Sequence, residues 1–153
     1  MNEMLSEKRI LIVDDEPDVL ESLEELLDVC VIDSAPNFAT AKKLLEQNTY
    51  DAAILDIMGV DGFRLLELVE KKGIPALMLT AHAISAESLV KSLHKGAYAY
   101  IPKHEMANVD SYLVDIIHAK SRGAKISKKW FKKLSPFFDN KLDQSGKIPT
   151  GKL

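Results

Sequence analysis

The first 119 residues alternate short apolar runs with longer segments of helical spacing, and this pattern occurs five times. In the longer segments, apolar residues recur every three or four positions, as they do on one face of a helix. The apolar runs are "RILIVDD", "VCVIDSA", "DAAILD", "IPALMLTA" and "AYAYIPK". The helical segments are "EPDVLESLEELLD", "NFATAKKLLEQ", "GFRLLELVEKKG", "SAESLVKSLHKG" and "VDSYLVDIIHAK".

Strands that are apolar along their whole length are typical of a parallel sheet covered on both faces. Because crossovers between parallel strands are right-handed, the pattern predicts an α/β fold, a doubly wound (βα)5 sandwich with a five-stranded parallel sheet. Local signals mark several helix ends. Pro17 suits a first turn, Asn37 and Asp61 suit N-caps, and Gly73 suits the end of the third helix.

The composition limits the classes of protein to which the chain can belong. With 153 residues, of which 46 % are hydrophobic, the chain suits one compact domain rather than a disordered protein. Cys30 is the only cysteine, so a disulfide framework within the chain is excluded. The N-terminal "MNEMLSEKR" lacks the apolar region of a signal peptide, and no apolar run approaches the roughly 20 residues of a membrane span. We therefore expect a cytoplasmic protein without a membrane span.

Polar side chains follow four of the predicted strands at the point where each strand ends: Asp14 with Asp15, Asp56, Thr80 and Lys103. In doubly wound sheets the ligand binds outside the C-terminal ends of the strands, so these side chains are expected to converge. Close carboxylates repel one another unless a cation lies between them, and oxygen ligands of this kind suit Mg²⁺. A lysine can hold a phosphoryl oxygen instead. The set predicts a site for a phosphoryl group beside a carboxylate and a metal ion.

Four motifs at these strand ends, "ILIVDDEP", "ILDIMGVDG", "LTAH" and "GAYAYIPK", resemble in order and spacing the receiver domain of two-component response regulators, in the CheY-like superfamily. The resemblance covers residues 7–122 and implies a flavodoxin-like fold. It further implies that Asp56 is the phosphoacceptor of a histidine kinase. One Mg²⁺ ion would be bound by Asp15, Asp56 and the backbone carbonyl of Met58, with Asp14 acting largely through water.

The same resemblance assigns roles to three further residues. Lys103 would pair with the phosphoryl group, and Thr80 would bond to it and shift on activation. Tyr100 would be the aromatic switch residue that swings inward together with Thr80. Met58 and His82 stand at the positions that control water access to the acyl phosphate in receivers. Since Met58 is apolar and His82 is large, we expect them to slow hydrolysis.

Two features depart from the family's pattern. The loop after Asp56 is about two residues shorter than usual and lacks a proline before Asp61 and Gly62. This shortening affects the expected geometry of the Met58 carbonyl. At the other side of the site, Pro102 precedes Lys103, whereas many relatives have a proline after the lysine. The loop after the fifth strand is therefore expected to be built differently.

The charge changes sign towards the C-terminus. Residues 1–119 hold 21 of the 23 acidic and 10 of the 20 basic residues, a balance of −11, whereas residues 120–153 have a balance of +8. Residues 123–153 are expected to form a basic, aromatic, partly ordered extension with short helices, in which Pro136 begins the second. Its aromatic and leucine residues have helical spacing: Trp130, Phe131, Leu134, Phe137 and Phe138.

Three interpretations of this extension stay open. Its aromatics pack on the receiver or on a second subunit, or Trp130, Phe131 and Leu134 dock a partner such as the kinase. The third is contact with anionic lipid or nucleic acid. The extension is shorter than a typical DNA-binding domain, so none is expected.

These expectations predict a single-domain response regulator. It would take a phosphoryl group from a histidine kinase or phosphotransfer protein, and would be no enzyme beyond that transfer and slow autodephosphorylation. A downstream protein would bind the face of the fourth helix, fifth strand and fifth helix, and homodimer formation stays open. The alternative is a pseudo-receiver, an interaction module independent of phosphorylation. A phosphatase of the haloacid dehalogenase type is disfavoured, because Met58 stands where that class needs a second aspartate.

Overall fold

The computed structural model describes residues 3–57, 60–80 and 99–121. Its strands and helices follow one another as the sequence predicts. The strands are β1 (Arg9–Val13), β2 (Val31–Ala35), β3 (Ala52–Asp56), β4 (Ala76–Thr80) and β5 (Ala99–Pro102). The α-helices are α1 (Pro17–Leu26), α2 (Phe38–Gln47), α3 (Gly62–Lys71) and α4 (Val109–Ser121). Helix α4 corresponds to the fifth predicted helix, while the fourth, at 85–96, and the C-terminal extension lie outside the described residues.

The five strands form one parallel sheet in the order β2-β1-β3-β4-β5. This is the strand order of flavodoxin-like folds, in which the chain reverses direction across the sheet between β1 and β3. In the pairing of these two strands Val13 lies opposite Leu55, so the residues that follow them, Asp14 and Asp56, are neighbours. The predicted doubly wound, flavodoxin-like (βα)5 fold is confirmed.

The core lies on both faces of the sheet, as continuous apolar strands require. All five residues of β3 are buried, and β1 is buried from Ile10 to Val13. On α3 the buried residues Leu65, Leu66 and Val69 share one face. Each such side chain contributes about 1.5–3 kcal/mol when it is fully removed from water. The edge strand β2 is more open, and its first residue, Val31, is 46 % exposed.

Three of the four predicted helix boundaries form as expected. Helix α1 begins at Pro17, and the Asn37 side chain accepts a 2.8 Å hydrogen bond from the Thr40 amide at the start of α2. Gly73 follows α3 with a φ of +72°, which a glycine adopts without strain.

The expected capping role of Asp61 is wrong. Asp61 stands at the N-cap position of α3, but its backbone is left-handed (φ 56°, ψ 54°) and its side chain makes no capping hydrogen bond. An N-cap side chain reaches the helix amides from the extended region of backbone conformation, which Asp61 does not occupy. Its Oδ2 lies 3.3 Å from the Arg64 guanidinium instead.

Two short 3₁₀ helices were absent from the sequence-based prediction. The first, Glu3–Leu5, precedes β1 and places Leu5 in the core with no exposed surface. The second, Lys103–Asn108, connects β5 to α4 and begins at the lysine of the candidate site. Among the described residues, no helix has the length and apolar character needed to cross a membrane.

A polar cluster lies at the N-terminal end of the sheet, away from the candidate site. The Tyr50 hydroxyl donates a 2.7 Å hydrogen bond to Asp33, whose carboxylate also lies 3.4 Å from the Arg9 guanidinium. The Arg9 guanidinium stands over the Tyr50 ring, 5.5 Å from its centroid. These contacts connect the first residue of β1 to β2 and to the segment before β3.

Candidate functional site

The predicted acidic and basic residues meet at the C-terminal edge of the sheet. Lys103 Nζ lies 3.0 Å from Asp14 Oδ2, 3.5 Å from Asp56 Oδ1 and 2.6 Å from Glu16 Oε1. Asp14 follows β1, Asp56 is the last residue of β3, and Lys103 follows β5. The strand order brings these three side chains together from segments that are far apart in the sequence.

Two of the carboxylates are buried. Asp14 is 1 % exposed and Asp56 is 5 % exposed. Asp14 Oδ1 accepts a 2.9 Å hydrogen bond from the Glu16 amide. Its Oδ2 is buried, and the nearest partner of that oxygen is the charged Lys103 Nζ, 3.0 Å away. A buried carboxylate needs a hydrogen-bonding or cationic partner, and a bound cation would be a second one beside Lys103.

The electrostatics of the site follow from burial and from the crowding of like charges. Burial, and then the charge of Asp14, raise the pKa of Asp56 to about 6, against the opposing effect of Lys103. Burial also raises the pKa of Asp14, while the Glu16 amide and Lys103 act to lower it. For Lys103, burial lowers the pKa, but the hydrogen bond to Glu16 and the proximity of Asp14 outweigh it and hold the pKa above its usual range. The lysine therefore stays charged.

The donor set fits a hard divalent cation. Carboxylate oxygens of Asp14, Asp15 and Glu16 lie within 4.8 Å of one another, and Asp56 stands beside Asp14. Asp15 and Glu16 are exposed, so an ion at this edge would keep water ligands, as Mg²⁺ usually does. With the buried Asp14 carboxylate beside them, these residues suit a hard cation such as Mg²⁺, because all of their ligand atoms are oxygens.

Glu16 is the one residue of this cluster to which the sequence-based prediction gave no role. The signal was the third acid in "DDEP", but an acid at the start of a helix has an ordinary explanation through the helix dipole. In the structure Glu16 makes the shortest of the three contacts of Lys103, at 2.6 Å.

Thr80 and Tyr100 lie beside each other at the neighbouring strands. Tyr100 pairs with Met78 in the register of β4 and β5, so Thr80, two residues further along β4, is on the same face of the sheet. Tyr100 is 1 % exposed. Burial raises the pKa of its phenol, and a side-chain hydrogen bond with Thr80 acts against that rise. The two predicted switch residues thus lie side by side on one face of the sheet.

The described residues on either side of the short loop after Asp56 lie against each other. The Gly62 amide donates a 3.2 Å hydrogen bond to the Ile57 carbonyl. A Cβ atom at Gly62 would stand 2.1 Å from the Asp56 carbonyl oxygen, which is far inside van der Waals contact. Only glycine fits here, because the first turn of α3 lies directly against the backbone of Asp56. Met58 and Gly59, at the centre of the loop, lie outside the described residues, as do His82 and the tail residues Trp130, Phe131 and Leu134.

A parallel sheet with the flavodoxin-like strand order, and with polar side chains gathered at its C-terminal edge, defines a doubly wound α/β domain with its binding site at the strand ends. The profile of one family, described as "Response regulator receiver domain", matches residues 10–118. The chain belongs to this family.

Sequence and structure comparisons agree with this membership. The chain is 38 % identical over 102 residues to "Two-component response regulator ORR24" of Oryza sativa subsp. indica, covering 62 % of this chain and 16 % of that protein. It is 32 % identical over 105 residues to "Response regulator protein PilR" of Pseudomonas aeruginosa, covering 65 % and 23 %. The chain thus spans less than a quarter of the length of these two relatives.

Among solved structures, the chain is similar to a CheY-like response regulator receiver domain protein from Methanospirillum hungatei. The two share 28 % sequence identity with a TM-score of 0.69, and the alignment covers 78 % of this chain and 100 % of that one. The structure of a "putative response regulator" from Chloroflexus aurantiacus gives 27 % identity and a TM-score of 0.61, and the alignment covers 72 % of this chain and 99 % of that one.

Proposed function

We propose that the chain is the receiver of a response regulator, in which Asp56 accepts a phosphoryl group from the phosphohistidine of a kinase or phosphotransfer protein. In the transfer, an Asp56 oxygen forms a P–O bond while the P–N bond of phosphohistidine breaks, and the imidazole leaves with the electron pair of that bond. The observation that carries this proposal is the position of Asp56: a buried carboxylate at a strand end, 3.5 Å from the charged Lys103 and beside Asp14.

The residues around Asp56 suit the charge that the transfer brings into the site. Lys103 is close enough to turn from its carboxylate partners to a phosphoryl oxygen on Asp56. Asp14, Asp15 and Asp56 would hold Mg²⁺ together with the Met58 carbonyl, Asp14 acting largely through water. The metal ion would neutralise phosphoryl oxygens, so catalysis in this site is positioning and charge neutralisation.

Thr80 and Tyr100 would carry the signal away from Asp56. In this structure the Thr80 side chain lies close enough to the Tyr100 phenol to oppose the rise that burial causes in its pKa. We propose that the phosphoryl group attracts the Thr80 hydroxyl, that Tyr100 loses this partner, and that the surface of the predicted fourth helix, β5 and α4 changes for a downstream protein. The protein would act in the cytoplasm, with a histidine kinase or phosphotransfer protein as phosphodonor and a downstream protein as target. A homodimer through the same surface is compatible with this role.

Met58 and His82 would set the lifetime of the phosphorylated state. We propose that an apolar residue at 58 and a large one at 82 hinder the water that hydrolyses the acyl phosphate. Replacement of Met58 by Asn is expected to shorten the half-life of phosphorylated Asp56, measured by the decay of the phosphorylated mass. A half-life equal to or longer than that of the wild type would contradict this role.

The phosphoacceptor role is tested with a small phosphodonor, acetyl phosphate, in the presence of Mg²⁺, followed by intact mass measurement. We expect the wild type to gain the mass of one phosphoryl group, and the gain to disappear in Asp56→Asn and with EDTA. The matched control is Asp61→Asn, an exposed aspartate of the same loop, which should be phosphorylated normally. A wild type that gains no mass would favour the pseudo-receiver alternative and overturn the proposal.

A further inference from the structure

An apolar groove lies between the N-terminal 3₁₀ helix and the last two turns of α4, at the end of the molecule away from Asp56. Its apolar side chains come from both segments: Met4, Leu5, Val114 and Ile117. Met4 is 51 % exposed, the highest exposure of any large hydrophobic residue among the described ones. The groove therefore presents apolar surface to whatever lies above it.

The size of the groove favours side chains of a peptide over a small-molecule ligand. Its volume is about 270 Å³. Sites for cofactors and drug-sized ligands usually have about 300–1,000 Å³ and contain several convergent polar groups. Here the polar lining residues are Lys8, His118 and Ser121, and Ser121 already donates a hydrogen bond to the His118 carbonyl at the end of α4. One or two aromatic side chains are the occupants that fit.

The part of the chain that follows α4 contains such aromatic side chains. Ser121 lines the groove and is the last described residue, and 32 further residues follow it. Gly123 comes two residues later, which suits the reversal of the chain after a helix. Beyond it Trp130, Phe131 and Leu134 recur at helical spacing, and lysines occupy the positions between them.

We propose that residues 124–138 of the same chain fold back from Gly123 and cover this groove with Trp130, Phe131 and Leu134. The distance is short enough: Val114 lies seven residues before Ser121, about 11 Å along a helix at 1.5 Å per residue. The nine residues from Ser121 to Trp130 can span about 30 Å when extended. The contact does not depend on phosphorylation of Asp56.

Charge supports an occupant from this chain. Residues 1–119 carry a balance of −11 and residues 120–153 a balance of +8, so the two parts of the chain attract one another at ordinary ionic strength. The groove itself has no acidic side chain among its lining residues, in which Lys8 and His118 are the basic ones. The contact is therefore expected to be apolar at its centre, with the lysines of the tail directed to solvent and towards the exposed Glu3 and Glu7.

Trp130 is the only tryptophan of the chain, so its fluorescence reports on the tail in the intact protein. We expect folded wild type to emit at shorter wavelength than the urea-unfolded chain, with acrylamide quenching reduced severalfold. Ile117→Lys and Met4→Lys should move the emission towards the unfolded value and restore quenching. Leu68→Lys, at a half-buried apolar residue of α3 outside the groove, is the matched control and should leave both unchanged.

Several outcomes would overturn the proposal. One is a folded wild type whose tryptophan emits and is quenched like that of the unfolded chain. Another is an unchanged signal in Met4→Lys, a substitution at an exposed position that the fold tolerates even if Ile117→Lys unfolds the protein. An emission that shifts on dilution in step with dissociation of a dimer, seen by light scattering, would assign the groove to a second copy instead.

Discussion

Lys103 Nζ lies 2.6 Å from Glu16 Oε1, closer than its 3.0 Å approach to the buried Asp14. Glu16 lies at the surface, and it pairs with Lys103, the lysine that would bind the phosphoryl group. The Glu16 side chain is 57 % exposed, and pairs of this kind contribute only about 0–1 kcal/mol. The contact is weak enough to be replaced by a phosphoryl group, but it competes for the same lysine.

Glu16→Gln is therefore expected to speed phosphorylation of Asp56. Because the lost competition is worth at most about 1 kcal/mol, the increase should be no more than about fivefold. The rate is measured with acetyl phosphate at saturating Mg²⁺, which removes any effect of Glu16 on metal affinity. Glu21→Gln, an exposed glutamate of α1, is the control and should react at the wild-type rate. Slower phosphorylation of Glu16→Gln under these conditions would refute the competition.

The pKa of Asp56 predicts how stability depends on pH in the absence of metal. Burial and the charge of Asp14 raise this pKa from 3.8 to about 6. Between these values the folded protein binds more protons than the unfolded chain, so the stabilising contribution is present below pH 4 and is lost as pH rises through 6. A shift of about two pKa units corresponds to a change of about 3 kcal/mol in the free energy of unfolding. Because Asp14 and Asp56 titrate as a coupled pair, this change belongs to both carboxyl groups together.

Urea unfolding of wild type and Asp56→Asn in EDTA measures this effect. The free energy of unfolding of the wild type should fall relative to that of Asp56→Asn as pH rises from 4 to 7. Saturating Mg²⁺ should flatten the difference, because the cation offsets the repulsion between the carboxylates. Parallel curves for the two proteins in EDTA would show that Asp56 titrates as an ordinary carboxyl group.

Magnesium should stabilise the folded chain through the exposed Asp15. A ligand that binds only the folded state adds about 2.7 kcal/mol at one hundred times its dissociation constant. Thermal unfolding with and without Mg²⁺ should show a rise in Tm for the wild type and a much smaller rise for Asp15→Asn. Asp18→Asn removes an exposed acid from the first turn of α1 and should keep the wild-type response. An equal rise in Asp15→Asn would place the ion elsewhere.

The sequence predicted the sheet and the meeting of Asp14, Asp56 and Lys103 because both follow from long-range rules. Apolar periodicity identifies strands and helices, and strand order then brings strand ends together. The parts that it missed depend on local geometry. Glu3–Leu5 is too short to show a period. The left-handed backbone of Asp61 and the close packing of Gly62 on the Asp56 backbone belong to a short loop in which no spacing of residue types reveals the conformation. The contact between Glu16 and Lys103 joins residues 87 apart through a surface rotamer, which leaves no pattern in the sequence.

The close packing of Gly62 against the Asp56 carbonyl predicts a large effect of a single methyl group. Gly62→Ala forces apart the loop and the first turn of α3, because the new Cβ would stand 2.1 Å from a backbone oxygen. We expect a loss of about 1–3 kcal/mol in the free energy of unfolding, as for other overpacked sites, together with slower phosphorylation of Asp56.

Gly73→Ala is the matched control for this substitution. Its cost of about 1–2 kcal/mol comes from a left-handed backbone, while the nearest side-chain atom, Lys120 Nζ at 3.3 Å, can move away. Gly73→Ala should lower stability by a similar amount and leave the phosphorylation rate unchanged. If both variants slowed phosphorylation equally, the effect would follow from stability rather than from the loop at Asp56.

The proximity of the Thr80 side chain to the Tyr100 phenol predicts an energetic coupling that phosphorylation should abolish. In the unphosphorylated protein, a double-mutant cycle of Thr80→Ala and Tyr100→Phe should give an interaction free energy of about 0.5–1.5 kcal/mol, the usual net value of a hydrogen bond between two side chains. Tyr100 is buried, so both single variants leave a hydroxyl without this partner and are destabilised. If Thr80 turns to the phosphoryl group, the same cycle in the presence of a stable phosphoryl analogue should approach zero. A coupling that keeps its size with the analogue bound would show that the two side chains stay together, and that the signal leaves Asp56 by another route.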